Sequence, residues 1–364
     1  MVGLSTAWRL AQRGCRVRVV EQFALGHARG SSHGAARITR STYASATYVQ
    51  MVALAHAEDW PELEASTRRI LLHRGGDAVV WGPEDGAIGD YAAAAGEAVV
   101  QLGVAEARGL FRGLLFPDAE RVLWDRSAAV VAAADTMRAL WEACEPLPVR
   151  VIAGARVAGW ELTGDGVAVR VEGLEGVEDL HADRIVVAAG PWTSALLGWP
   201  TLTPVRQDVG YWALPGSVAG EFPCFIHLGG GDSGVHYGLP GIGEEALKAA
   251  FHRTSGTADD PDIARIDADP ASLAAVEARL RTWFRGVGPL LRSETCFYTN
   301  TPTEDFVLDV VPGTDGRVVV GAGLSGHGFK FGPLLGRILA DLALTGTSPV
   351  APYAADRRRF QLRL

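Results

Sequence analysis

Only two of the 34 basic side chains in this sequence are lysine, Lys248 and Lys330. Arginine and lysine interchange on a solvated surface, but not where chemistry needs a compact ammonium whose charge the surroundings can tune. In a chain rich in alanine, glycine and arginine, the two survivors are candidates for such positions, with chance as the plain alternative. Lys330 follows a glycine-rich loop, Gly321 to Gly328, at the mouth of a helix; Lys248 lies in Leu247-Lys-Ala-Ala-Phe-His252. A third group, Ser32, His33, Arg37 and Arg40, falls in a Gly/Ser/His/Arg-rich stretch over 25–48 with little periodicity, which reads as a functional loop. A planar guanidinium there suits a carboxylate; a solvated surface arginine is the ordinary reading. The four cysteines, Cys15, Cys144, Cys224 and Cys296, are widely spaced. That spacing indicates neither a disulfide framework nor a zinc site, and no metal is expected.

The elements around these residues have a recognisable order. Gly3 to Gly14 reads as a helix, with Leu4, Ala7, Trp8 and Ala11 on one face and Gly14 suited to a left-handed stop. Arg16 to Val20 reads as a strand ending at Glu21. Helix, turn, strand and acid form the second half of a dinucleotide-binding βαβ unit, with Gly3 as the last glycine of G-x-G-x-x-G and Glu21 placed for ribose hydroxyls. The first strand and first glycines of such a unit are not in the sequence. The expectation is therefore a parallel sheet short of that strand, and weak cofactor binding by the chain as written. Helical stretches run through the Leu63 and Leu110 regions. Asp135 is expected to cap a helix through Cys144, and Val149 to Val171 to form a hairpin turning at Thr163 to Gly166. Arg184 to Gly190 reads as a buried strand entering a tight turn before Pro191 and Trp192. Alternating β segments with one or two helices fill 201–299. Strand Arg317 to Val320 then leads into the glycine loop. A final helix follows, with Leu334, Leu335, Ile338, Leu339 and Leu342 on one face and a stop at Gly346.

The segments Ser32-His-Gly34 through Arg37-Ile-Thr-Arg40, Ala188-Ala-Gly-Pro-Trp192, Cys296-Phe-Tyr298 and Gly323-Leu-Ser-Gly-His-Gly-Phe-Lys330 resemble the monomeric sarcosine oxidase and N-methyltryptophan oxidase family. These are D-amino-acid-oxidase-like flavoproteins, and the resemblance runs in order along nearly the whole chain. It implies an α/β fold: a discontinuous Rossmann-like FAD-binding domain over 1–70, 140–200 and 300–364, and a β-rich substrate domain over 71–139 and 201–299. It also implies FAD attached through a Cys296 thioether, although a lone cysteine is ordinarily a small buried hydrophobe. Gly3, Glu21, Ser32, His33, Arg37, Gly190, Trp192, Gly326, His327, Gly328 and Phe329 become FAD-facing residues. Arg40 and Lys330 become a clamp for a substrate carboxylate, and Lys248 a cation that promotes reaction with O2. His252, Tyr237 and Tyr298 match residues shaping the amine pocket, where core packing is nearly as good an account. Ala35-Ala36 stand where the family often has Asp-Thr, which puts the loop's hydrogen bonding in question.

The implied activity is FAD-dependent oxidation of a small N-methyl or secondary amino acid, giving imine, then aldehyde, and hydrogen peroxide. A biosynthetic oxidase or dehydrogenase of a cyclic imino acid would use the same residues. A non-catalytic flavoprotein remnant is the rival from another class, and a nicotinamide-linked Rossmann enzyme would leave the Cys296 and Gly326–Lys330 blocks unexplained. Length and charge, 364 residues with net charge −8, allow two domains and argue against nucleic acid as a partner. No apolar run is long enough to cross a bilayer. Unpaired cysteines, the lack of a charged-then-apolar leader, and an Arg-Leu ending that is no peroxisomal tripeptide lead to an expected cytoplasmic location; the resemblance implies a monomer with amino acid and O2 as its partners.

Overall fold

The computed structural model describes residues 1–83, 87–173, 176–198, 202–229, 234–253, 259–262 and 267–363. The first helix, Val2–Gln12, buries Leu4, Ala7, Trp8 and Ala11 against the last long helix, Gly332–Thr345. That helix has the expected face: Leu334, Leu335, Ile338, Leu339 and Leu342 are fully buried, and Gly346 ends it at φ +75°. The two backbones approach most closely at Gly336, where an added Cβ would sit 2.5 Å from the Ser5 Cβ. At Gly3 a Cβ would meet only the Ala188 Cβ at 3.7 Å, an ordinary contact. Close packing of the two helices thus depends on Gly336.

A buried charge cluster ties the helices together. Asp59, in a π-helical turn over Ala55–Asp59, accepts from Arg9 at 2.9 Å and from Arg337 at 3.0 Å. Asp59 is fully buried and Arg9 is 6% exposed, so neither charge can fall back on water. Removing Asp59 takes the shared buried anion from two guanidinium groups and leaves them only the exposed carboxylates of Glu62 and Glu58. Asp59→Ala is expected to lower unfolding stability by about 3–5 kcal/mol, read as the urea midpoint at constant slope. A loss below about 1 kcal/mol would be surface behaviour and would contradict this account.

Strand β1 (Val17–Glu21) pairs in parallel with β8 (Val149–Ala153), which places the latter beside β1 and not in a hairpin. The hairpin starts one strand later: β9 (Arg156–Leu162) and β10 (Val167–Gly173) pair around Thr163 to Gly166, and β11 (Gly176–Ala182) completes a meander. Asp135 does not cap its helix, Ala133–Cys144; it lies in the first turn and pairs with exposed Arg138 at 2.9 Å. Strand β12 (Ile185–Val187) runs parallel to β19 (Val318–Ala322), flanked by antiparallel β18 (Val307–Val310). Residues of β1 and β12 line one cavity, and among the described residues no strand pairs with both.

The remaining strands build the platform for the site. An eight-stranded sheet has the order β17 (Leu290–Asn300), β13 (Thr203–Ala213), β16 (Ala246–His252), β15 (Val235–Pro240), β14 (Cys224–Leu228), β4 (Ala78–Gly82), β6 (Arg121–Asp125), β5 (Val100–Gly103). A small sheet joins β2 (Ala36–Thr39), β7 (Ala129–Ala132) and β3 (Leu72–Arg74). One helix, Pro270–Trp283, packs on β13 and β16. The architecture is mixed α/β, and no described helix is long and apolar enough to cross a membrane.

Candidate active site

Side chains alternate across a strand, so i, i+2 and i+4 share a face. On β17 that rule puts Glu294, Cys296 and Tyr298 together; on β16 it groups Lys248, Ala250 and His252. Strand β13 lies between them, with Tyr211 opposite Lys248 and Val209 opposite Glu294. On the other side of β16, Tyr237 of β15 stands opposite Ala250. Lys248, His252, Tyr237, Cys296 and Tyr298 all line the same cavity, about 2460 Å³ in volume. His252 Nδ1 is 3.3 Å from the Tyr298 hydroxyl, which lies 3.5 Å from that of Tyr237. Burial pushes the Tyr237 phenol up to about 12 and that of Tyr298 well upward. Burial, then Arg40 and Lys330, lowers His252 to about 4. At neutral pH this cluster is uncharged, and its imidazole is too weak a base to keep an amine's proton.

Two cations meet above this floor. Lys330 Nζ donates to the Tyr43 hydroxyl at 2.9 Å and to the His327 carbonyl at 3.0 Å. The Arg40 guanidinium lies 4.5 Å from the centre of the same Tyr43 ring and donates to Thr42 Oγ1 at 3.3 Å. Among the described residues neither cation has a carboxylate partner, and both line the cavity. Burial, then Arg40, pushes the Lys330 ammonium well below its usual range. The Trp60 indole donates to the Lys330 carbonyl at 2.8 Å, anchoring the 3-10 turn Phe329–Phe331 that precedes the last long helix.

The sequence pattern of the FAD dependent oxidoreductase family matches residues 1–342. The chain belongs to this family. It is 31% identical over 360 residues to monomeric sarcosine oxidase of Bacillus sp. (strain B-0618), an alignment covering 95% of this chain and 90% of that protein. It is 33% identical to the peroxisomal sarcosine oxidase of Homo sapiens over 98% of this chain and 93% of the relative. The solved open form of NikD, described as an unusual amino acid oxidase essential for nikkomycin biosynthesis, superposes with a TM-score of 0.86 at 24% identity, over 100% of this chain and 95% of NikD. That likeness is one of fold.

The chain's residues fit FAD, the family's cofactor. The cavity exceeds the few hundred to about 1,000 Å³ of an ordinary small-molecule site and runs from Glu21 to Lys330. Buried polar atoms on its wall, His33 Nδ1 and Thr299 Oγ1, have no hydrogen-bond partner among the described residues. Glu21 ends β1; although burial opposes its charge, His27 and the Phe23 amide hold its carboxyl below the usual range. Ser32 accepts from the Met1 amino group at 3.2 Å. Burial, then Arg37, lowers His33. Arg37 braces the loop, donating to the carbonyls of Ser31 at 2.9 Å, His33 at 2.6 Å and Ala36 at 2.9 Å, and lies over the Phe329 ring. The loop lacking Asp-Thr at 35–36 is therefore held through its own carbonyls.

The other residues singled out for FAD divide. Gly326, at φ +75°, is obligatory: an added Cβ would lie 2.3 Å from the Tyr298 ring. At Gly328 the obstacle is Leu324, at 2.6 Å. Gly190 starts a 3-10 turn, Gly190–Trp192, at φ +54°. The Trp192 indole donates to Asp262 at 2.8 Å while the residue lines the cavity. His327 belongs as much to the cation pair as to the cofactor wall: its Nδ1 is 3.2 Å from the Tyr43 hydroxyl and its Nε2 3.0 Å from the Glu304 carbonyl.

Two site residues escaped sequence reasoning. Tyr43, shared by Arg40 and Lys330, looks in sequence like any tyrosine three positions beyond an arginine. Glu294 lies two residues before Cys296, and Lys248 donates to its Oε1 at 2.8 Å. Strand alternation was the available signal for Glu294: it shares the Cys296 face. Lys248, expected as a cation that promotes reaction with O2, is in the structure an ion-pair partner of Glu294.

Proposed function

We propose that this chain oxidises a small N-methyl or secondary amino acid with FAD and O2, releasing an imine that hydrolyses to aldehyde and amine, together with hydrogen peroxide. One observation carries the reading: two cations, Arg40 and Lys330, share Tyr43, have no carboxylate among the described residues, and face the floor that holds Cys296. Paired cations with an empty complement suit a carboxylate, since a charged hydrogen bond in a desolvated site is strong and directional. The names of the relatives, sarcosine oxidases, agree with a small N-methylated acid. FAD, when bound, supplies the redox chemistry, accepting two electrons with hydrogen from a C–H beside the substrate nitrogen and passing them to O2.

The residues do the rest. Arg40 and Lys330 hold the carboxylate, which fixes the α-nitrogen over His252, Tyr298 and Tyr237. Those neutral groups exclude water and offer hydrogen bonds without a competing charge, so the amine reacts in its neutral form. Lys248 stands on the same floor as a cation able to stabilise the negative charge that develops on O2. Cys296, half-buried in the floor, forms the thioether to FAD. Burial pushes its thiol up, while Arg37 and Lys248 oppose that rise. All four cysteines are free, which fits a reducing cytoplasm, and we read the chain as a monomer.

A panel of N-methyl and cyclic amino acids with their decarboxylated amines, assayed for peroxide, tests the reading. Turnover is expected for an N-methyl amino acid and at least about 30-fold less, in kcat/KM, for the amine lacking the carboxylate, the equivalent of about 2 kcal/mol. Equal turnover of acid and amine would remove the clamp; turnover of cyclic acids alone would move the activity to that class.

A further inference from the structure

Paired with Lys248 of the cavity wall is a carboxylate that has no part in the mechanism above. Glu294 Oε1 accepts from Lys248 Nζ at 2.8 Å and from the Tyr211 hydroxyl at 2.8 Å. Lys248 is 3% exposed, and its only other acceptor among the described residues is the Ala36 carbonyl at 3.3 Å. The three side chains come from three neighbouring strands, β16, β13 and β17, and form a closed triangle across the sheet. The loop above accommodates it. Gly34 takes φ +91°, and a Cβ there would lie 2.8 Å from Glu294 Oε1, so only glycine lets that backbone pass so near the carboxylate.

We propose that Glu294 is a positioning residue for Lys248: its carboxylate keeps the ammonium at the cavity wall, and keeps it charged, in a place that would otherwise favour a neutral, displaced amine. This rests on the reading of Lys248 as the group that acts on O2. The surroundings explain the need. From the loop, Arg37 and His33 face the ammonium; from β17, Cys296 and Glu294; from β13, Tyr211, itself stacked under Arg292 at 3.8 Å; β15 offers only the apolar Leu239 opposite it. Arg37 repels an ammonium, and burial disfavours any charge. Glu294 is the group of this set that is anionic at neutral pH: burial opposes its ionisation, but Lys248, Tyr211 and Arg37 bring it down to about 2. The balance leaves Lys248 at about 8, lowered by burial and then Arg37, with Glu294 opposing. Without the carboxylate the downward influences act alone.

The sign follows. Lys248 is charged below its titration point, so the step that needs the cation is intact at low pH and fails as pH rises through that point. Removing Glu294 moves the failure to lower pH.

The scarcity of lysine makes the titration directly readable. Full-length holoenzyme grown with lysine labelled at Cε and Nζ gives signals from Lys248 and Lys330 only, and Lys330→Arg assigns them. In the wild type the Lys248 signal is expected to titrate near 8. In Glu294→Gln, a shape-preserving change, it is expected to move down by roughly one to three pH units, and the rate of the reduced enzyme with O2 should lose its plateau over the same interval. Glu294→Asp, which keeps the charge, is expected to restore most of both. If Glu294→Gln does not fold, the comparison passes to Glu294→Asp, where the lysine should titrate between the wild-type value and that of a lysine lacking a carboxylate. An unchanged Lys248 titration in the folded variant overturns the proposal. A shifted titration with an O2 rate that ignores it upholds the hold of Glu294 on Lys248, and overturns instead the role of Lys248 with O2.

Discussion

Replacing Arg40 with methionine is expected to weaken substrate binding by about 30-fold to several thousand-fold, while FAD stays in place. The range corresponds to roughly 2–5 kcal/mol for one partner removed from a desolvated charged hydrogen bond. It is large here because the carboxylate would keep only Lys330, a single point charge whose ammonium burial still disfavours after Arg40 is gone. Methionine preserves much of the side chain's apolar length over Tyr43, so the loss reports charge and hydrogen bonding. Arg40→Lys should recover part of it, since a point charge replaces a planar fork. The measurement is the dissociation constant from anaerobic titration, with flavin content as control. A constant within threefold of wild type would mean that the carboxylate lies elsewhere. The same geometry has a pH consequence: a bound carboxylate stabilises charged Lys330, so binding takes up a proton and weakens as pH rises through the free lysine's titration.

The second large effect is all-or-none. After acid precipitation of the wild type, flavin is expected to stay with the polypeptide; after precipitation of Cys296→Ala it is expected in the supernatant. Among the described residues Cys296 is the only cysteine lining the cavity besides Cys15, which lies at the opposite end beside the start of β1. Cys144 and Cys224 are buried away from it, and burial pushes their thiols upward without a nearby cation. Cys15→Ala is therefore the matched control and should leave the flavin bound. Wild-type flavin that washes out in acid would show that Cys296 lines the site without bonding.

Much of this protein is legible along the chain because the information is local. The helices Val2–Gln12 and Gly332–Thr345 each carry an apolar face at helical spacing, and a left-handed glycine ends the second. Strand alternation places Cys296 and Tyr298 on one face whatever the sheet's partners are. In the Gly323–Lys330 block, Gly328 is demanded by Leu324 four residues earlier, while Gly326 and Gly323 answer to the more distant Tyr298 and Thr301. The scarcity of lysine marks two positions before any element is assigned.

Tertiary structure alone decided what depends on which distant strands become neighbours. Val149–Ala153 alternates as a hairpin strand would, yet it pairs with β1, because alternation specifies a face and not a partner. Asp135 has the residue type of a cap but not its position, and its helix starts two residues earlier. The close helix–helix approach fell at Gly336, which no local pattern marks, since the closest point is set by how two helices cross. Tyr43 is shared by Arg40 and Lys330 across almost the whole chain length, and Glu294 reaches Lys248 only because β13 inserts between their strands. The chain itself thus names the chemical groups, while strand order and helix crossing decide which charges meet, since a buried charge is stabilised by whatever lies within a few ångströms in space.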